Sequence, residues 1–175
     1  MKRLSILLVL LAPLVAPSSA RAVPSQGPHP VGEPSVIGGK NPVGKPGQLG
    51  VGLAGGWYTG GVTVKTAFTE AFAGAATLGS WWGYGLSLSA DALWEQPPLA
   101  QNDTASLDWY AGIGPLLALG DGLAAVGADA IAGLEARFKP IPLELTLDIR
   151  PTVLFGSTHF GYFRLAGQGA IRYWF

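Results

Sequence analysis

The sequence predicts an all-β protein, an eight-stranded antiparallel up-and-down barrel, on three observations. Apolar residues recur at every second position through most of residues 48–175. Turn-forming pairs such as Asp121-Gly122 separate the alternating stretches. The stretches number eight, and an even number of antiparallel strands can close on itself without leaving an unpaired edge. Period two sends successive side chains to opposite faces of a strand, whereas a helix would scatter them around its circumference.

The strands are expected near 48–57, 60–68, 71–81, 83–95, 107–119, 123–138, 142–156 and 162–175. The clearest is the seventh. Leu143, Leu145, Leu147, Ile149, Val153 and Phe155 share one parity, and Glu144, Thr146, Asp148, Arg150 and Thr152 share the other. The sixth sets Val126, Ala128, Ala130, Ala132, Leu134, Ala136 and Phe138 against Asp129, Glu135 and Arg137. The last sets Phe163, Leu165, Ile171, Tyr173 and Phe175 against Arg164, Gln168 and Arg172. In the fourth, Tyr84, Leu86, Leu88 and Trp94 oppose Ser87, Ser89, Asp91 and Glu95. Trp109, Ile113, Leu117 and Leu119 form the apolar row of the fifth, and Val62, Val64 and Phe68 oppose Thr63 and Lys65 in the second. The first and third are the weakest, being rich in glycine and alanine.

Turn chemistry gives the register independently. Asp121-Gly122 tolerates positive φ at both positions, so a two-residue hairpin there sets Leu119 opposite Ala124. The Lys139-Pro140-Ile141-Pro142 turn sets Phe138 opposite Leu143 and Arg137 opposite Glu144, near enough for a cross-strand ion pair. The longest connection runs from Gln96 to Ser106.

Composition decides which solvent such a barrel suits. The chain is 49% apolar and 13% charged, with 11 basic and 11 acidic residues; a soluble domain carries about 25% charged residues. Zero net charge supplies no basic patch for nucleic acid. The absence of cysteine excludes disulfides, cysteine-based zinc sites and thiol catalysis.

Residues 1–22 read as a cleaved secretory signal: Lys2 and Arg3, the apolar stretch Leu4 to Val15, and Ala20-Arg21-Ala22 or Ser18-Ser19-Ala20 as the cleavage pattern. The apolar stretch is far shorter than the roughly 20 residues of a spanning helix. Residues 23–47 repeat proline and glycine, which support neither ladder nor helix, and read as a flexible linker. Residues 48–175 form the barrel.

Alternation alone leaves open which face points outward. The polar parity holds mixed charges, not a lysine- and glutamate-rich coat: Lys65, Arg137, Arg150, Arg164 and Arg172 against Asp91, Glu95, Asp129, Glu135, Glu144 and Asp148. That set suits an interior of pairing charges, and an eight-stranded barrel has room only for its own side chains. Trp57, Tyr58, Trp81, Trp82, Trp94, Trp109, Tyr162, Tyr173 and Trp174 fall near strand ends, as interfacial girdles require. The expectation is therefore a transmembrane barrel, lipid-facing outside and plugged by ion pairs inside. The alternative is a soluble, lipocalin-like periplasmic carrier with the apolar rows turned inward.

Several motifs carry a resemblance. They are Leu49-Gly50-Val51-Gly52-Leu53, Ala90-Asp91-Ala92-Leu93-Trp94, Trp109-Tyr110-Ala111-Gly112-Ile113-Gly114, the hairpin of Leu134-Glu135-Ala136-Arg137-Phe138 with Pro142-Leu143-Glu144-Leu145, and the terminal Arg172-Tyr173-Trp174-Phe175. In these the chain resembles the small outer-membrane β-barrels of OmpA/OmpX-like architecture. The alternating end Gly169, Ile171, Tyr173, Phe175 resembles their terminal assembly signal. The resemblance implies outer-membrane lipid as surroundings, and periplasmic chaperones and the barrel-assembly machinery as partners during biogenesis. It also implies periplasmic termini. The outer turns would then be short and the Gln96–Ser106 connection periplasmic, unlike barrels that recognise partners through long outer loops.

No catalytic, cofactor or metal site is expected. His29 falls in the linker. Ser157 and His159 would be nucleophile and base of an outer-leaflet lipid hydrolase, but no acid is placed to orient His159. Asp129, Glu135 and Asp148 lie beside arginines and read as ion-pair partners instead of metal ligands. Gly50, Gly52, Gly55 and Gly56 precede no helix and form no dinucleotide loop.

Overall fold

A computed structural model of the protein describes residues 43–57, 60–80, 85–120, 123–156 and 161–175. The signal segment, the linker up to residue 42, Tyr58, Trp81, Trp82, Tyr84, the Asp121-Gly122 turn, Ser157 and His159 lie outside the described residues. Nine strands are present among those described: β1 Leu49–Gly56, β2 Gly60–Ala67, β3 Phe72–Ser80, β4 Leu86–Glu95, β5 Ala100–Gln101, β6 Ala105–Gly120, β7 Leu123–Phe138, β8 Leu143–Gly156 and β9 Tyr162–Trp174. Eight of them form one antiparallel ring, each strand hydrogen-bonded to its sequence neighbour. The ring closes through β4–β6 and through β1–β9. The fold is all-β with a closed eight-stranded antiparallel barrel. The short β5 is an addition that the sequence does not signal; it pairs only with the start of β6, inside the long connection.

Register follows the turns. Leu119 faces Ala124, Phe138 faces Leu143, and Arg137 faces Glu144. A row of paired residues starting at Arg172 passes through Gly52, Thr63, Thr77, Ser89, Leu116, Gly127 and Leu154, and returns to β9 at Tyr162. The return point lies ten residues along the strand. Such a stagger tilts the strands and leaves an interior just wide enough for side chains. At the β1–β9 closure the two backbones run so close that a Cβ on Gly52 would stand 1.8 Å from the carbonyl oxygen of Ile171, which explains glycine there.

The parity division survives folding. One row is exposed: Leu147 is 67% and Phe163 68% accessible, joined by Val62, Leu78, Leu88, Ile113, Val126 and Ile149. The other row is buried, with Lys65, Glu135 and Glu144 at 1% or less. The interior is not uniformly polar. Ala73, Ala75, Leu93, Tyr110 and Ile131 pack together in it. Outside, the Phe68 ring stacks on Phe72, Phe72 meets Trp94 at a tilt of 55°, and the Phe68 ring covers Gly74. The chain ahead of β1 is tied to the barrel. Val43 is buried, Gly44 lies against the Arg137 guanidinium, and the Gly47 amide donates to Ala67 O at 2.9 Å.

Candidate functional site

The charged interior is the one concentration of chemistry among the described residues, and it falls into two groups. The first lies toward the end of the barrel where β1 begins and β9 ends. Lys65 Nζ, from β2, meets Glu135 of β7, Glu95 Oε1 of β4 at 2.8 Å and Glu144 Oε2 of β8 at 3.5 Å. Its ammonium also sits 5.6 Å from the Tyr110 ring centre and 5.9 Å from that of Trp174, a distance at which ring faces attract a cation. Arg172 Nη1 contacts Glu144 Oε1 at 2.7 Å, and Trp174 Nε1 donates to Glu144 Oε2 at 2.9 Å. Arg172 also donates to Thr63 Oγ1, so each charged group has several partners. Closed strands supply this convergence, because residues of equal parity on β2, β4, β7, β8 and β9 all point to one axis.

The expected pair of Arg137 with Glu144 is corrected. The two residues do face each other across β7–β8. Arg137 turns instead to Glu135 and Glu95, and its Nη1 lies 3.5 Å from Asp108 Oδ2. Glu144 is already held by Arg172, Lys65 and Trp174, all of them more fully buried than Arg137. Register fixes backbone neighbours; competition among interior groups decides the pairing.

The second group surrounds Arg150. Its Nε donates to Asp148 Oδ1 at 2.8 Å, its Nη2 to Asp148 Oδ2 at 3.2 Å, and its Nη1 to Asp91 Oδ2 at 2.9 Å; Asp129 Oδ2 lies 3.8 Å from Nη1. The Tyr110 hydroxyl donates to Asp148 Oδ2 at 2.9 Å, so Tyr110 links the two groups: its hydroxyl serves the second and its ring the first. Gly133, paired with Tyr110, leaves the room this needs; a Cβ there would stand 2.5 Å from the phenol carbon. Arg164 belongs to the same interior row. With Asp129, Arg150, Thr152 and Gln168 it lines a cavity of about 30 Å³. That volume suits one or two waters and falls far below the hundreds of Å³ of a ligand pocket.

The alternation places Thr63 on the polar row without a role, and it singles out neither Asp108, Tyr110 nor Trp174 for the interior. Trp174 is a second correction: it was expected in the aromatic girdle, but it is 2% exposed and points inward. It shares the parity of Arg172, while Tyr173 and Phe175 flank it on the outer row, so period two already carried the information. Asp108, adjacent to the outward Trp109, was legible in the same way. Of the proposed assembly residues, Ile171, Tyr173 and Phe175 are exposed, and the rings of the last two meet edge-on at 5.0 Å. Gly169 pairs with Gly55 on one side and Leu147 on the other.

Among the described residues no three histidine, aspartate or glutamate side chains group as a metal site, and no helix is long and apolar enough to cross a membrane. No family model matches the chain, and neither does any curated protein or solved structure.

Proposed function

We propose that this chain is an integral β-barrel of a bacterial outer membrane with a structural or envelope-maintenance role, its interior filled by paired charges in place of an open pore. One observation carries the reading: the barrel is inverted relative to a water-soluble one. Lys65, Glu135 and Glu144 are sealed inside, while Leu147, Phe163, Leu53 and Ile149 cover the outside. In water such a wall would form an apolar patch far larger than the few hundred Å² that soluble monomers expose. In hydrocarbon it is the ordinary solvated surface, and closure leaves no edge to satisfy. A carrier needs an apolar lumen, and the lumen here is crossed by ion pairs.

On this reading the chain is exported by the general secretory route with loss of its signal segment. Periplasmic chaperones and the assembly machinery handle it through Gly169, Ile171, Tyr173 and Phe175, and outer-membrane lipid then surrounds it. No catalytic role is assigned. Cell fractionation with gel mobility before and after boiling tests the proposal. A membrane-bound, heat-modifiable species is expected. Recovery of the mature protein from the soluble periplasm without detergent would refute it.

A further inference from the structure

The wall of the barrel is uneven. β1 and β2 have 8 residues each, whereas β6 and β7 have 16 and β8 has 14. A tilted strand needs about 9–11 residues to cross a bilayer. At ~3.3 Å per residue and a tilt near 40°, the β1–β2 face is roughly 20 Å tall, against an apolar band of about 25 Å. The described ladder between β1 and β2 ends where Gly55 pairs with Gly60. Exposed Trp57 stands at this low rim.

The neighbouring strand shows the step directly. Among the described residues, the uppermost bond from this side to β9 runs from the Trp57 amide to Gly167 O at 2.9 Å. β9 continues beyond it, from Ala166 to Tyr162, paired with β8. That is about 12 Å more wall at the same rise and tilt. The extra wall is apolar outside, with Phe163 and Leu165 exposed on β9 and Phe155 and Val126 on the adjoining strands. A bilayer of uniform thickness cannot match both faces.

Resting on the membrane reading above, we infer that the short β1–β2 face draws the outer-leaflet headgroups and water down to the level of Trp57, thinning the bilayer beside this strand pair. The surface it engages is a lipid leaflet, and the side effect is a local defect at one fixed position on the barrel. Hydrophobic mismatch is relieved by thinning when the apolar stretch is too short.

The native chain has no cysteine, so single spin labels report cleanly. Register places Val62 of β2 at about the same height as Ile149 of β8, and Val51 of β1 at about that of Leu145 of β8. Val62→Cys, Ile149→Cys, Val51→Cys and Leu145→Cys would each be labelled and refolded into dioleoylphosphatidylcholine vesicles. The accessibility of each label to a water-soluble nickel reagent would then be measured. The Val62 label should be several-fold more accessible than the Ile149 label, with Val51 and Leu145 alike, and dilauroyl vesicles should shrink the upper difference. Equal values at Val62 and Ile149 would overturn the inference and leave the membrane reading intact. An opposite difference at the lower pair would mean rigid tilting, which also overturns it. Full water access at all four sites would overturn the membrane reading and the inference together. Leu53→Cys and Leu147→Cys repeat the comparison if a first-choice variant fails to fold.

Discussion

Glu144 and Arg172 face each other across β8 and β9, with Oε1 2.7 Å from Nη1. The contact joins the last strand to its neighbour. Through Lys65 and Glu95 it connects onward to β2 and β4 on the far side of the lumen. Replacing Glu144 by leucine leaves Arg172 and Lys65 each short of a partner in a sealed interior. Unfolding in urea from lipid vesicles should show a loss of about 3–5 kcal/mol, the penalty for orphaning a buried charge. A loss below about 1 kcal/mol would mean that water reaches these groups and that the interior is not closed.

Tyr110→Phe removes a single hydroxyl donor and keeps the ring beside Lys65. Asp148 Oδ2 retains Arg150 Nη2 at 3.2 Å, so the effect should stay near 1–2 kcal/mol in the same unfolding measurement. An effect as large as that of Glu144→Leu would indicate that the link between the two charged groups has been undervalued.

Leu147 is exposed at the middle of β8. If hydrocarbon solvates it, Leu147→Arg should destabilise the vesicle-embedded barrel by about 2–4 kcal/mol. Stability unchanged within error would place this face in water.

Glycines on β1 should differ sharply. A Cβ on Gly52 collides with the Ile171 carbonyl, while one on Gly55 meets nothing within 4 Å. Gly52→Ala should therefore impair closure of β1 against β9, seen as loss of the heat-modifiable band, whereas Gly55→Ala should fold normally. Equal folding of the two variants would contradict the β1–β9 register. Deleting Phe175, whose amide donates to Leu49 O at 2.9 Å, should reduce the amount of barrel inserted in cells. Wild-type levels would remove the terminal residues from the proposed assembly signal.

Much of this was legible in the sequence because period two is a strong constraint. A one-residue slip would have turned Glu144, Asp148 and Arg150 to the opposite face together, so their shared parity specified the strand and its grouping, while the mixed charge of that row indicated which face turns inward. The Pro-rich turn at 139–142 then fixed the pairing of Phe138 with Leu143. Partner choice was not legible. Arg137 and Glu144 are backbone neighbours, yet each takes partners from other strands, because long side chains in a narrow lumen reach across it. Strand-end position points Trp174 to the girdle, but its parity, shared with Arg172, turns it inward. The short β5 has no periodic signal, being only two residues held by β6. Uneven wall height could not be read from alternation alone, since it depends on where the hairpins close.

Contact of the apolar row with hydrocarbon can be read by walking a fluorophore along β8 from Leu143 to Gly156, one introduced cysteine at a time, in vesicles carrying brominated acyl chains. Quenching should alternate, strong at Leu145, Leu147, Ile149 and Val153 and weak at Glu144, Thr146, Asp148 and Thr152. Weak quenching throughout, or strong quenching on the charged parity, would contradict it.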